Sequence, residues 1–593
     1  MLRYDRRMYV AVVPNRSSPP AILLRESYRE GGKVKTRTLA NLTGWAPERV
    51  EALRQALKGG ARGGASGPSA PAGPLAEALQ VTRSRPHGHV AALVGTARAI
   101  GLERLLSDGQ GRRGALALAL VVARLLHPGS KLATARGLAG DTLATSLGEV
   151  LGVADASSDE LYGAMDTLVS RQEQIEAALA AQHLQEGTLV LYDLTSAAIE
   201  GSHCPLARLG YARDGVRGRA QIEFGLLTTT EGLPVAVEVF PGNTSDPGSL
   251  PSQVAKLKER FGLSRVVLVG DRGMITSARL REDIRPAGLD WVTALRAPQI
   301  ATLAKDGALQ LTLFDQTDLA EITHPDFPGE RLVCCRNPLL AAERARKREE
   351  LLAATERDLD AIVAACARER RPLQGADAIG LRVGKVIGRY KMAKHFLIEI
   401  GEDALTYRRD QARIQAETAL DGIYVLRTSV DAEALASDQV VETYKRLAGV
   451  ERAFRSIHGS DIQVRPVHHR LPDRVRAHVL ICMLAYHLEW HLRRSLAPIL
   501  FHETDPDGAK ALRASPVAPA RRSASARAKA ASKRTSEGEP VHGLRSLLAD
   551  LGTICLNRIE PTQGGPAFDL LTTPTPLQQR AFDLLGVSPR TGL

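Results

Sequence analysis

A chain of 593 residues with a formal charge of +12 has room for roughly four domains of about 150 residues, and its basic balance favours a polyanionic partner. The longest apolar candidate, 114–126, is broken by Arg124 and falls short of the ~18 residues a membrane span needs; the apolar run near the N-terminus is too short for a signal peptide. The six cysteines contain no CxxC pair, which argues against a zinc ribbon or a disulfide frame and for a reducing, cytoplasmic setting.

Residues 1–57 form a strand-rich region, alternating over 8–43 with a hairpin expected at Gly31-Gly32. The Gly, Ala, Ser and Pro composition of 58–75 reads as a flexible linker. Residues 76–185 read as helices, with a break at Pro128-Gly129 and an N-terminal cap at Ser157-Ser158-Asp159. From 186 the pattern turns to α/β: strands are expected at 188–193, 221–229, 233–240, 265–270 and 290–296, with helices after the third and fourth. Residues 297–420 separate these from a later helical segment, 421–500; within them 338–371 reads as one long charged helix. Residues 509–534 carry eight Lys and Arg and no acid, so the rest of the chain is only +4. Ala, Pro and Ser dominate there, and 501–540 reads as a disordered basic linker able to hold phosphates without sequence preference. Residues 541–593 read as a small docking element.

Asp193 and Asp271 each end an apolar, β-branched run, which places both at the mouth of a parallel sheet, where ligands gather at the carboxyl ends of strands. Glu451 falls on a helix expected over 440–457; at 100° per residue Tyr444, Leu447, Glu451, Arg455 and His458 share a stripe roughly 80° wide. Three carboxylates suit Mg²⁺, a hard cation, with Mn²⁺ able to substitute. Two such ions about 3.5–4 Å apart activate a water or a 3′-hydroxyl and stabilise the leaving oxygen at phosphorus. Without metal, carboxylates about 4 Å apart repel by roughly 4 kcal/mol per pair at an effective dielectric of 20, so at least one pKa is expected to rise. Taken singly, each Asp also suits a turn or helix cap, and Glu451 a solvated helix face.

Longer segments, LYDLTSAAIEG, CPLARLGYARDGVRGRAQIEFGLL, GLPVAVEVFPGNTSDPGSL, VLVGDRGMIT, YKMAKHFLIEI, DGIYVLRTS, YKRLAGVERAFRSIH and VRPVHHRLPDRVRAHVLICMLAYHLE, resemble in their order a DDE-type insertion-sequence transposase of the IS-four group, in its sixteen-thirty-four-type branch. The resemblance spans most of the chain. It implies a ribonuclease-H-like catalytic core (186–296 and 421–500) interrupted by a strand-rich insertion domain (297–420), with strands over 379–408, and 76–185 binding DNA ends. Asp193, Asp271 and Glu451 become the catalytic, metal-binding triad. The implied partners are the element's terminal inverted repeats and target DNA, held by a homodimer in the DNA complex, with no membrane role. The implied function is metal-dependent DNA cleavage and strand transfer.

The family's helix signature is Tyr, two residues, Arg, three residues, Glu, six residues, Lys. Tyr444 and Glu451 match it, while Leu447 and His458 stand at the Arg and Lys positions. Arg455, one turn past Glu451, and His458 are candidate phosphate ligands in their place, with an Arg455–Glu451 ion pair as the plain alternative. Arg465 and His468 follow the helix in an Arg-Pro-x-His region, and Lys391 and Lys394 are candidate DNA contacts from the insertion. A catalytically silent DNA-binding relative and a general metal-dependent nuclease remain competing readings.

Overall fold

Alternating side chains in Arg7–Val13 (β1), Ala21–Glu30 (β2) and Lys33–Asn41 (β3) pair as a three-stranded antiparallel sheet, followed by helix α1 (Pro47–Gly59). The computed structural model describes residues 7–593 apart from 15–19, 31–32, 60–77, 108, 110, 143 and 563–564. The Gly31-Gly32 turn and most of the expected linker 58–75 therefore lie outside the described residues.

β4 (Leu79–Pro86) leads into helices α2 (Gly88–Ala99), α3 (Arg112–Leu126), α4 (Ser158–Ser170) and α5 (Gln172–His183). Leu116, Leu118, Val121 and Val122 are buried, so α3 spends its apolar surface on the core. Among the described residues no single helix is long and apolar enough to cross a membrane. Ser157 and Glu160 close a capping box at the start of α4, each satisfying a backbone N–H of the other.

The central sheet begins with β5 (Leu189–Ala198), β6 (Gln221–Thr229) and β7 (Pro234–Pro241); α6 (Asp246–Ala255) then leads to β8 (Val267–Val269), β9 (Asp290–Ala294), β10 (Leu319–Ile322) and β11 (Arg331–Arg336). The chain then leaves the sheet. Helices α7 (Pro338–Cys366) and α8 (Ala376–Tyr390) pack with the hairpin β12 (Phe396–Ile400) and β13 (Leu405–Arg409) around Leu352, Leu359, Ile379, Val383 and Phe396. β14 (Ile423–Thr428) rejoins the sheet between β11 and β9, giving the order β10-β11-β14-β9-β8-β5-β6-β7.

Two expectations change here. The sheet is mixed: β5–β8 and β8–β9 are parallel and the other neighbours antiparallel. The separate body is also smaller than 297–420, because β10 and β11 hydrogen-bond into the sheet, and it is mainly helical rather than strand-rich.

The segment expected as one helix over 440–457 is two, α9 (Ser437–Lys445) and α10 (Leu447–His458), parted at Arg446. α11 (Pro472–Ser495) follows, buried along most of its length. Residues 501–540 are not a loose tether. They include helix α12 (Ala524–Ser532), and Val517 is buried. The Lys445 ammonium donates to the carbonyls of Pro516, Val517 and Ala518, and buried Lys529 to those of Ala497, Leu500 and His502. Alanine, read as low complexity, is the best helix former, and two of the lysines here (Lys510 and Lys529) serve structural contacts.

The tail comprises α13 (Leu544–Leu551), β15 (Cys555–Pro561), β16 (Phe568–Leu571) and α14 (Pro576–Leu585). β15 pairs antiparallel with β4, and a side chain at Gly88 would lie 2.3 Å from the Leu551 carbonyl, so only glycine fits that contact.

Candidate active site

The register of β5 on β8 brings two acids together. Leu189, Val190 and Leu191 pair in parallel with Val267, Leu268 and Val269, so Asp193 and Asp271 each lie two residues past the last pair. Side chains alternate with period two, which puts both on one face of strands about 4.8 Å apart. Asp193 is not at a strand end as expected: β5 runs on to Ala198, while β8 stops after three residues and opens a notch beside it. In that notch Asp271 Oδ1 accepts the backbone N–H of Gly273 (2.8 Å) and Met274 (2.9 Å), which fixes its carboxylate.

Helix α10 carries Glu451 over the same face. Its apolar side, Val450, Ala453, Phe454 and Ile457, is buried, with Phe454 edge-on to Phe224 of β6 at 5.8 Å. The helix seats closely because its first turn meets a tight turn through two glycines: Gly232 has φ +80°, and a side chain at Gly449 would meet Gly232 Cα at 3.3 Å.

Electrostatics report the convergence. The Asp193 carboxyl is pushed up to about 7, first by burial and then by the charges of Asp271 and Glu451, against the Leu194 N–H and Arg213. The Tyr444 hydroxyl, on α9, is pushed up to about 12 by burial and by the same three acids, against Arg272. Both groups therefore feel every member of the triad. Among the described residues none of the three acids has an ion-pair partner, and all donors are oxygens, a set that fits a hard divalent cation.

Three residues beside the triad were missed by sequence reasoning. Arg213 forms ion pairs with Glu223 and Asp246. Burial lifts Glu223 to about 7, opposed by Arg213. Asp246 borders the notch, since a side chain at Gly273 would meet Asp271 Oδ1 at 3.2 Å and Asp246 Oδ2 at 3.3 Å. Asp246 stands among the turn residues of GNTSDPGSL, and nothing local to Arg213 marks it; only the fold joins them.

The expected helpers divide. Tyr444 sits with the acids. Exposed Arg455 makes no ion pair with Glu451 among the described residues; with Arg452, Asp461, Glu489, Arg493 and Arg522 it lines a cavity of about 470 Å³. His458 is turned inward, its Nε2 3.2 Å from Thr195 Oγ1 and its ring 5.7 Å from Phe224, and burial lowers its pKa. Its placement makes it a packing residue rather than a free phosphate ligand. Arg465 pairs with Glu200 and lies 4.0 Å from Asp214, while His468 is exposed. Lys391 is exposed at the left-handed end of α8 and Lys394 pairs with Glu417, so both belong to the separate body, away from the notch.

The family model described as Transposase DDE domain matches residues 186–488, and that described as IS1634 family transposase, N-terminal domain, matches residues 10–71. The chain belongs to the IS1634 family of DDE transposases. Its DDE match spans the whole central sheet, the body between β11 and β14, and Asp193, Asp271 and Glu451. The N-terminal match of this DDE transposase covers β2, β3 and α1 and the last four residues of β1. No curated protein matches it.

Proposed function

We propose that this DDE transposase binds the terminal inverted repeats of its insertion sequence as a homodimer in the bacterial cytoplasm and carries out metal-dependent DNA cleavage and strand transfer. On this reading 186–336 and 421–500 make a ribonuclease-H-like core, and 338–420 is its insertion domain. One observation carries it: Asp193, Asp271 and Glu451 converge as unpaired carboxylates in a notch at the end of β8.

Those three residues would hold two Mg²⁺ ions, with Mn²⁺ able to substitute, and the ions would supply an activated oxygen nucleophile and charge neutralisation at phosphorus. The chain's own groups do the positioning. Asp271 is locked by two N–H donors, and Arg213 keeps Asp246 and Glu223 from adding their full charge to the notch. Tyr444, held protonated by burial and by the surrounding acids, donates its hydroxyl to a phosphate oxygen. Hydrolysis and joining are the same in-line displacement with different nucleophiles, so one site serves both.

The test is incubation of the chain with Mg²⁺ and a linear fragment carrying the element's ends. Paired cleavage and joining by the native protein, absent in Asp193→Asn, is the expected result; cleavage that persists in Asp193→Asn overturns the assigned site, and cutting without joining favours a general nuclease. The inward His458, at the signature's Lys position, favours a second reading, a silent DNA-binding relative. Binding of the ends without cleavage by the native chain would establish it.

A further inference from the structure

Outside the acidic notch, three histidines meet. His183 ends α5, and His487 and His491 lie one turn apart on α11 in the segment His487-Leu-Glu-Trp-His491. Each offers a ring nitrogen, and these atoms all lie within 4.8 Å of one another; the ring centroids are 5.4 Å (183–487), 6.0 Å (183–491) and 5.1 Å (487–491) apart. Three nitrogens bound at 2.0–2.1 Å to a tetrahedral ion stand about 3.4 Å apart, so modest ring rotation closes the set.

The hydrogen bonding prepares it. His487 Nδ1 lies 2.9 Å from the Pro234 carbonyl; a carbonyl only accepts, so Nδ1 carries the proton and Nε2 keeps its lone pair. His183 Nε2 and His491 Nε2 are buried with no hydrogen-bond partner. Native structures rarely leave such atoms unsatisfied, and here two belong to residues of one cluster. Burial holds His487 at about 3 and His491 at about 4 and lowers His183, so all three are neutral imidazoles, the form that ligates metal. No carboxylate belongs to the set, which excludes Mg²⁺ and Ca²⁺ and suits a borderline transition metal.

We propose that His183, His487 and His491 form a zinc-class site distinct from the acidic triad, with water in the fourth position beside His183 and His491, which are not fully buried. The ion would clamp the end of the helical stretch 88–183 to α11 and, through the Pro234 carbonyl, to edge strand β7.

The test uses the metal-stripped full chain, titrated with Co²⁺ as a spectroscopic probe and then with Zn²⁺ in competition. One Co²⁺ per chain with tetrahedral d–d absorption, displaced by Zn²⁺, is the expected result. His183→Gln and His491→Gln, each checked for native circular dichroism, should weaken binding by more than the ~10–100-fold typical of losing an outer partner. Asp193→Asn/Asp271→Asn should bind Co²⁺ as the native chain does. The proposal is overturned if the native chain takes up no micromolar Co²⁺ or Zn²⁺, if the two histidine variants bind undiminished, or if the aspartate variant loses the ion.

Discussion

Asp193, Asp271 and Glu451 crowd charge into a notch that water reaches, whereas His183, His487 and His491 collect lone pairs that carry no charge and are largely shut away from water. The first cluster is strained by repulsion, the second by unsatisfied nitrogens. A cation relieves both, but the donor atoms differ, so the same chain is expected to sort hard from borderline metals by place. Mg²⁺ should raise the melting temperature of the native chain and not of Asp193→Asn/Asp271→Asn, while Zn²⁺ should still raise that of the aspartate variant.

The strongest way to break the contrast is at the notch. Asp193→Asn should lower cleavage of an end-bearing fragment by about 10³-fold or more while leaving the fold intact, because a ligand and a charge are lost without loss of volume. Next comes the buried support: Arg213→Ala leaves Glu223 without its cation and should destabilise the chain by about 3 kcal/mol in urea unfolding. Arg213→Ala with Glu223→Gln should recover part of that loss, and no recovery would show that the cost lies elsewhere.

An effect of similar order, about 4 kcal/mol across the whole window, concerns pH. Folded Asp193 keeps its proton up to about 7, whereas an unfolded aspartate loses it near 3.9, so the folded state binds more protons between those limits. The stability difference between the metal-free native chain and metal-free Asp193→Asn should therefore shift against the native chain as pH rises from about 4 to 7, as measured by urea unfolding at each pH. The histidine trio carries the opposite slope, because burial lowers its folded pKa values below the unfolded value of about 6.5, but it is common to both proteins and cancels in their difference. Smallest is the helper residue: Tyr444→Phe should slow cleavage about tenfold, the value of one hydrogen bond to charge, while Arg455→Ala should change it less than twofold.

Much of the sheet was legible because its strands are apolar runs with turn residues at their ends: 221–229 and 233–240 became β6 and β7 within one residue. The pairing was not. Nothing in 188–193 says that β5 continues to Ala198 or that its neighbour β8 is short, yet that mismatch makes the notch. Residues 501–540 misled because composition cannot show what Lys445 and Lys529 grip. At the site, spacing put Arg455 and His458 on the side of Glu451, and all three do share α10, but spacing does not show what each side chain meets: Arg455 lines the neighbouring cavity and His458 packs on Thr195 and Phe224. The histidines at 487 and 491 stand at helical spacing inside an apolar segment; their third partner is on another helix far upstream, which no local pattern reveals.

The pairing of β15 with β4 has a consequence for synthesis. Thr82 reaches Arg558 across 476 residues, so a chain made from its N-terminus exposes the β4 edge until β15 has been synthesised. A product cut short before Cys555 would present that edge, together with the bare Gly88 seat beneath the missing Leu551 turn where truncation also removes α13, as a surface ready to pair with another nascent copy. Synthesis through β15 is thus written into the fold as a condition for closing the β4 edge.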